Sequence, residues 1–223
     1  MGRVTQYSAI NLIPRAHVDP EKWSRMPSDV EVAKTIKAIE KRGIKVIQAE
    51  SGQHAVEILK TIIPPGAIVM SGSSTTLSEI GYEDFIKKGQ SGWNNLHDTI
   101  LSENDDEKRL ELRRKSVTAD YFISGANAIA QSGEIVACDK SGSRVGAWPF
   151  AAGHLILVCG VNKIASTLED ALQRVWEYAY PLEDARAREV YGAPSQIGKC
   201  VILANEDIEG RVTLVLISES LGY

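Results

Sequence analysis

Apolar and polar residues follow a helix–strand–helix–strand order in the first third of the chain. Apolar residues recur at helical spacing from Val32 to Ile39, and the β-rich run at residues 44–49 predicts a strand directly after that helix. Ser51 predicts the N-cap of a second amphipathic helix, and residues 67–70 predict another strand after a Pro-Pro-Gly turn. This order is typical of a parallel sheet covered by helices, so we predict an α/β fold.

The remainder of the chain continues this pattern. Thr167 predicts the N-cap of a helix whose apolar stripe, which ends at Val175 and Trp176, is expected to face the core. The β-rich runs at residues 199–204 and 211–217 are separated by a short polar segment, and this spacing predicts a β-hairpin. The other predicted elements are helices over residues 103–115 and 183–190 and strands over residues 121–124, 134–138 and 155–159.

The 223 residues contain no repeat, no low-complexity tract and no linker long enough to divide the chain. A share of 43% hydrophobic and 24% charged residues is ordinary for a globular domain. We therefore predict one domain over residues 26–223, preceded by a loosely attached N-terminal arm over residues 1–25.

Charge and the length of apolar runs argue against two classes of partner. The formal net charge is -4 and the pI is near 5.7, which gives no long-range attraction for nucleic acid or an anionic membrane. No apolar run approaches the ~20 residues that span a bilayer. The basic run at residues 113–115 follows several acidic residues along a predicted helix. Either a solvated helix end or a phosphate contact explains it.

The three cysteines, Cys138, Cys159 and Cys200, lie far apart in sequence and show no Cys-x-x-Cys spacing. This pattern argues against a disulfide framework, a zinc site or an iron–sulfur cluster, and the reducing cytoplasm is the expected location. The four histidines are isolated and lack metal-ligand spacing. We accordingly predict no metal site and no cofactor.

A turn rich in glycine, serine and threonine follows the predicted strand at residues 67–70. Because a helix is expected to start near Leu77, backbone N–H groups and the positive end of a helix dipole converge there, which suits a phosphate or carboxylate. An ordinary capped helix N-terminus explains the same residues, and no nucleotide-binding glycine motif is present. The candidate ligand-binding residues of this turn are Ser71, Gly72, Ser73, Ser74, Thr75 and Thr76.

Two further polar turns flank the predicted strand at residues 134–138. Ligands of open α/β sheets bind where strands end, so these turns are expected to meet the first one. Arg144 is suited to bind a carboxylate or phosphate through two parallel hydrogen bonds, although a surface salt bridge explains it equally. The candidate ligand-binding residues of this second region are Gly125, Ala126, Asn127, Ser143 and Arg144, with Lys163 as a further cation that would hold an anionic substrate.

Candidate acid–base residues are few. Glu79 and Glu134 are the carboxylates nearest these turns, and each is a candidate base or nucleophile, while structural glutamates are commoner. No Gly-x-Ser-x-Gly motif is present, so the sequence does not support a serine hydrolase.

At these turns the sequence resembles the LUD-domain family of lactate-utilisation proteins, in their short stand-alone form. The matching segments cover residues 71–81, 119–129, 143–147, 158–164 and 218–222. The resemblance implies a three-layer α/β/α fold with a mainly parallel sheet, similar to the phosphosugar isomerase and CoA-transferase group. It also implies that the turns after residues 70 and 124 line one crevice. Some members of the family take part in oxidising lactate to pyruvate alongside iron–sulfur partner subunits.

Two departures limit what the resemblance implies. Many stand-alone relatives have a cysteine-rich stretch near the C-terminal third, and only Cys200 remains of it here. CoA transferases use a glutamate in a Glu-x-Gly turn, whereas residues 131–133 of this chain are Gln-Ser-Gly. A covalent glutamyl intermediate is therefore disfavoured.

The leading hypothesis is a LUD-type protein of organic-acid metabolism that binds an anionic small metabolite in a crevice formed by residues 71–76 and 125–144. We expect it to form a homo-oligomer. One alternative is an isomerase or acyl-transfer enzyme that uses Glu79 or Glu134 as base. The other is an accessory subunit that docks an iron–sulfur partner.

Overall fold

The computed structural model describes residues 5–89 and 91–223, and its centre is a six-stranded parallel sheet. Every neighbouring pair in this sheet is parallel. In spatial order the strands are β1 (Lys45–Ala49), β10 (Val212–Ile217), β7 (His154–Gly160), β4 (Tyr121–Ser124), β2 (Ile68–Ser71) and β3 (Asn94–Asn95). The predicted α/β fold with a mainly parallel sheet is confirmed.

A second, four-stranded sheet that the sequence did not predict lies beside the first. Its strands are, in order, β8 (Ile164–Ala165), β5 (Ala128–Ala130), β6 (Ile135–Asp139) and β9 (Lys199–Leu203). The chain passes from the large sheet to the small one after β4, through residues 125–127, and again after β7, through the 3₁₀ turn Val161–Lys163. Both crossings leave the carboxyl ends of neighbouring parallel strands, so they lie close together.

Ten α-helices surround these sheets in the described part of the chain. They are α1 (Ala9–Ala16), α2 (Pro20–Trp23), α3 (Asp29–Glu40), α4 (Gly52–Ile62), α5 (Thr75–Glu79), α6 (Tyr82–Lys87), α7 (Leu96–Ser102), α8 (Asp106–Lys115), α9 (Leu168–Arg174) and α10 (Tyr180–Tyr191). The predicted N-cap at Ser51 is confirmed, since its hydroxyl accepts a hydrogen bond of 3.2 Å from the backbone N–H of His54. Within residues 5–89 and 91–223, every helix is too short or too polar to cross a lipid bilayer.

The core is divided between the two faces of the large sheet, because successive residues of a strand point to opposite faces. Along β7, Leu155 and Leu157 pack with α3 and the small sheet, whereas Ile156 and Val158 pack with α4 and α5. The small sheet is covered on its far side by α9. This order of layers leaves the carboxyl ends of β2 and β4 next to the small sheet.

The predicted hairpin over residues 199–204 and 211–217 is wrong. β9 is the edge strand of the small sheet and pairs with β6, whereas β10 lies between β1 and β7 in the large sheet. A signal for the difference was present in the sequence. The run Val212–Ile217 is almost wholly apolar, which is typical of a parallel strand that is buried on both faces.

The predicted core stripe of α9 is wrong beyond Val175. A π-helical turn, Val175–Ala179, follows the helix and inserts an extra residue into the helical period. Trp176 is 57% exposed, whereas Arg174 is buried. The buried face runs through Ala171, Arg174, Val175 and Tyr178, which have the i, i+3, i+4 and i+7 spacing of one helix face. The helix then continues into α10.

The N-terminal segment packs more extensively than a loosely attached arm would. Leu12 of α1 and Trp23 of α2 are buried in one cluster with Tyr178 and Leu182. Residues 1–4 of the predicted arm lie outside the described residues, and the boundary at residue 25 stays a prediction.

Candidate functional site

A pocket of about 460 Å³ lies between the carboxyl ends of β2 and β4 and the small sheet. Both predicted turns contribute to its lining, although they are some 50 to 70 residues apart in the chain. The sequence-predicted residues that line it are Ser71, Gly72, Ser73, Ser74, Thr75, Gly125, Ala126, Asn127, Ser143, Arg144 and Lys163. The structure therefore brings the predicted ligand-binding residues together at one site, as expected for strand ends of an α/β sheet.

Some hydrogen-bonding groups of the first turn have partners within the protein, and others are available to a ligand. The N–H of Gly72 donates to the carbonyl of Ile123 at 3.0 Å and so extends the pairing of β2 with β4. The hydroxyl of Ser74 caps α5 through the N–H of Leu77 at 3.4 Å. Among the described residues, no protein acceptor contacts the backbone N–H of Ser73 or Ser74. The turn is thus a capped helix start, and two of its amides remain available.

Lys163 is the buried cation of this site. Its side chain ends the crossing from β7 to β8, is 2% exposed, and still lines the pocket. The ammonium donates to the hydroxyl of Thr76 at 2.9 Å and to the carbonyl of Ala126 at 2.9 Å. Burial lowers the pKa of Lys163 to about 8. The charges of Arg174 and Arg144 act in the same direction, whereas Cys159 and Glu79 act against it.

Thr76 is the member of the first turn that does not line the pocket. It is fully buried, and its hydroxyl lies behind the ammonium of Lys163. Its contribution is to position that ammonium.

Arg144 has a different role from either of those predicted for it. One terminal nitrogen donates to the Ser124 hydroxyl at 3.2 Å and to the Gly125 carbonyl at 2.5 Å. The other donates to Asn127 Oδ1 at 3.2 Å and to the Cys138 carbonyl at 2.6 Å. These four bonds occupy both terminal nitrogens. Arg144 therefore does not form a surface salt bridge, and its two terminal nitrogens are not free to bind a ligand carboxylate together. It joins the turn after β4 to the end of β6.

Gly72 is required by the position of Arg144. A Cβ atom at residue 72 would lie 2.8 Å from Cδ of Arg144, which is closer than real Cβ atoms approach a neighbour. Residue 72 therefore needs to be glycine for the arginine side chain to pass beside the first turn.

A third buried cation, Arg174, was not predicted. Its Nε donates to the Trp23 carbonyl at 2.7 Å, one terminal nitrogen donates to the Asn127 carbonyl, and the other has no partner among the described residues. Burial lowers the pKa of Arg174 to about 10. The apolar stripe alone did not reveal this residue, because arginine is rarely fully buried, although it lies three residues after the buried Ala171.

The outer rim of the pocket is formed by α7 and α8. Leu101 is 68% exposed there, and Arg113 donates to the Ser143 hydroxyl at 3.1 Å. Lys115, in the same basic run, pairs with Glu111 at 2.7 Å on the solvent side. The two interpretations of this basic run thus apply to different residues, since Arg113 faces the pocket and Lys115 belongs to a solvated helix end.

Glu79 is buried beside the pocket without lining it. Its carboxylate accepts from the N–H of Gly222 at 2.7 Å and also interacts with Ser8 and Lys163. Burial raises the pKa of the Glu79 carboxyl, against the effect of these partners. These contacts give Glu79 a role in joining α5 to both ends of the chain, and they do not place it where a base would meet a ligand.

Glu134 lies outside the pocket, at the start of β6. It forms an ion pair with Arg42 and accepts from the Ser132 hydroxyl at 2.5 Å. Burial tends to raise the pKa of its carboxyl, but these partners hold that pKa below its ordinary value. These contacts hold Glu134 away from the pocket, and its role as a base stays a prediction. Among the described residues, no group of three or more His, Cys, Asp or Glu side chains could hold a metal ion.

Comparison with known proteins adds to this description. The sequence profile of the LUD domain matches residues 32–217. The fold is similar to that of a DUF162 family protein from Deinococcus radiodurans, with a TM-score of 0.52 at 13% identity over 86% of this chain and 99% of that chain. Ribose 5-phosphate isomerase A from Neisseria gonorrhoeae matches with a TM-score of 0.32 at 12% identity over 52% of this chain and 54% of that chain. No curated protein matches the sequence.

Proposed function

Since the chain belongs to the LUD-domain family, we propose that it binds an anionic small metabolite in the pocket between residues 71–76 and 125–144. The observation on which this proposal rests is the buried ammonium of Lys163 on the pocket surface. We place the protein in organic-acid metabolism, in line with the lactate-utilisation relatives that its sequence resembles. A homo-oligomer and an iron–sulfur partner subunit stay predictions.

The charge balance around Lys163 supports an anionic ligand. Removing an ammonium from water costs several kcal/mol unless an opposite charge or strong acceptors replace the lost solvation. The hydrogen-bond acceptors of Lys163 are the neutral hydroxyl of Thr76 and carbonyl of Ala126. Arg174 and Arg144 lower the pKa of Lys163, whereas the buried carboxylate of Glu79 raises it. Glu79 offsets part of this positive charge, and a ligand with a negative charge in the pocket would add to that compensation.

The geometry of Lys163 leaves a donor for that ligand. An ammonium has three N–H groups, and two are used by Thr76 and Ala126. The available backbone N–H groups of Ser73 and Ser74 lie on the same pocket surface. Backbone amides and a lysine ammonium together are a common arrangement for binding phosphate or carboxylate oxygens.

The size of the pocket favours a ligand larger than lactate. Its volume of about 460 Å³ lies in the range of ~300–1,000 Å³ that holds drug-sized ligands and cofactors. Apolar and aromatic side chains, among them Ile100, Leu101 and Tyr180, also line it. We therefore propose a ligand that joins one anionic group to a larger organic body.

The isomerase or acyl-transfer alternative lacks its proposed base. Neither Glu79 nor Glu134 lines the pocket, and both are held by partners in the protein. No observation on the described residues favours that alternative over binding.

Native mass spectrometry of the freshly purified full chain tests the proposal. We expect a retained anionic molecule, whose mass identifies the ligand class. Calorimetric titration with L-lactate, inorganic phosphate and glycerol 3-phosphate then compares carboxylate with phosphate. For the probe that binds tightest, Gly72→Val should weaken affinity about tenfold or more, since the new side chain displaces Arg144 and narrows the pocket.

Gly146→Val is the matched control. A Cβ at residue 146 meets no atom within 4 Å, and this exposed glycine does not line the pocket. Its affinity for the same probe should equal that of the parent. Equal affinities for Gly72→Val, Gly146→Val and the parent, or no binding of any anion by the parent, would refute the proposed site.

A further inference from the structure

Two cysteines that are 62 positions apart in the chain lie directly opposite each other in the small sheet. Cys138 is in β6 and Cys200 is in β9, and the antiparallel register of these strands pairs them residue to residue. Opposite residues of an antiparallel pair project from the same face of the sheet. Both thiols are free in this structure.

The backbone of Cys138 shows which kind of cross-strand pair this is. Its N–H donates to Asn127 Oδ1 at 3.0 Å, and its carbonyl accepts from Arg144 at 2.6 Å. Neither group is therefore bonded to Cys200, so the two cysteines form a non-hydrogen-bonded pair. In such pairs the Cα atoms lie ~4.5 Å apart and the side chains approach most closely. Disulfides span Cα separations of about 4.4–6.8 Å.

We infer that Cys138 and Cys200 form a reversible cross-strand disulfide, a modification site that adjoins the pocket. The third cysteine does not take part, because Cys159 is fully buried in β7, where its sulfur accepts from the N–H of Ala126 at 3.3 Å. The oxidant is a low-molecular-weight disulfide, such as oxidised glutathione.

The reaction proceeds by two thiol–disulfide exchanges. Cys200 is exposed, so its thiolate attacks one sulfur of oxidised glutathione, the bond between the two sulfurs breaks, and one glutathione thiolate leaves. Cys138 then loses its proton to solvent and attacks the sulfur of Cys200, and the second glutathione leaves. Two protein thiols are oxidised, and one glutathione disulfide is reduced to two thiols. Burial raises the pKa of both thiols, that of Cys138 to about 12, so the greater exposure of Cys200 makes it the expected first nucleophile.

The cross-link would act on groups that shape the pocket. Cys138 lines the pocket, and its carbonyl is one of the four acceptors that hold Arg144. Joining Cys138 to β9 fixes this carbonyl against an edge strand whose other side is unpaired in the four-stranded sheet. The inference itself does not depend on the identity of the proposed ligand.

Treatment of the reduced full chain with oxidised glutathione, followed by acid quenching and mass spectrometry in denaturant, tests the inference. We expect the intact mass to fall by two hydrogen atoms with no glutathione attached. Peptide mapping should join the peptide that contains Cys138 to the one that contains Cys200. Cys159→Ser should give the same result as the parent.

The Cys138→Ser variant identifies the second step. Without the resolving thiol, glutathione should remain attached to Cys200. The parent result alone decides the inference if this variant does not fold. Glutathione that stays on Cys200 in the parent, a cross-link that involves Cys159, or a disulfide between two copies through Cys200 would overturn it.

Discussion

The buried end of the pocket and its outer rim both contain cations, but the cations of the two regions differ in their exposure to solvent. At the buried end, Lys163 and the half-buried Arg144 line the pocket and are fixed by hydrogen bonds to neutral protein groups, and Arg174 is buried nearby without lining it. At the rim, Arg113 is exposed, and its guanidinium donates to the hydroxyl of Ser143. A charge without water interacts strongly with a ligand, whereas an exposed one is screened by solvent and salt.

This contrast explains why position, and not the number of positive residues, determines where an anion is held. The chain as a whole has a net charge of -4, so no long-range attraction favours anions. Lys163 and Arg144 nevertheless line one pocket, and Arg174 is buried near Lys163 without lining it. The ligand's charged group is therefore expected at the buried end and its larger body toward the rim.

Replacement of Lys163, at the buried end, should weaken anion binding more than any other substitution proposed here. We expect Lys163→Met to weaken binding of the tightest anionic probe by roughly 2–4 kcal/mol, because a desolvated charge partner is lost. That corresponds to about 30- to 1,000-fold in Kd, measured by calorimetric titration. Circular dichroism should confirm that the variant is folded. Lys45→Met, an exposed residue at the amino end of β1, makes the same charge change and should leave Kd unaltered.

The pH dependence of binding tests whether the buried ammonium of Lys163 contacts the anion. Lys163 has a pKa of about 8 in the free protein, and a bound anion raises that pKa. Below pH 8 the lysine is charged with or without ligand, so affinity is constant. As pH rises above 8, binding requires proton uptake, and affinity falls by up to ~10-fold per pH unit. Titrations with a probe whose charge is constant from pH 7 to 9.5 measure this slope.

The control for this pH profile is Lys163→Met, which should show no such decline. A parent profile that stays flat through this range would mean that the ammonium of Lys163 does not contact the anion.

Loss of the rim cation should have the smallest effect. We expect Arg113→Ala to weaken binding of the same probe about two- to fivefold, since exposed ion pairs are worth ~0.2–1 kcal/mol. The effect should vanish at 1 M salt, where the Debye length is ~3 Å. A loss as large as that of Lys163→Met would place the anionic group at the rim and break the contrast between the two regions.

Local sequence signals predicted much of this site. The two glycine- and serine-rich turns were recognised because turn chemistry depends on neighbouring residues. Their convergence followed from the general placement of ligands at strand ends in α/β sheets. The role of Arg144 did not follow, because its acceptors come from β4, the turn after it and β6. The burial of Arg174 did not follow either, because its acceptors are the carbonyls of Trp23 and Asn127, which are far from it in the chain.

By itself, the sequence determined the kinds of elements and most of their bounds, since hydrophobic periodicity, caps and turns are local properties of the chain. Only the tertiary structure decided which strand pairs with which. It therefore decided that β9 pairs with β6 in the small sheet and not with β10. It also decided that Cys138 lies opposite Cys200 and that Lys163 contacts the first turn. These outcomes depend on contacts between residues far apart in the chain, and the free energy of such contacts comes from packing that no local pattern specifies.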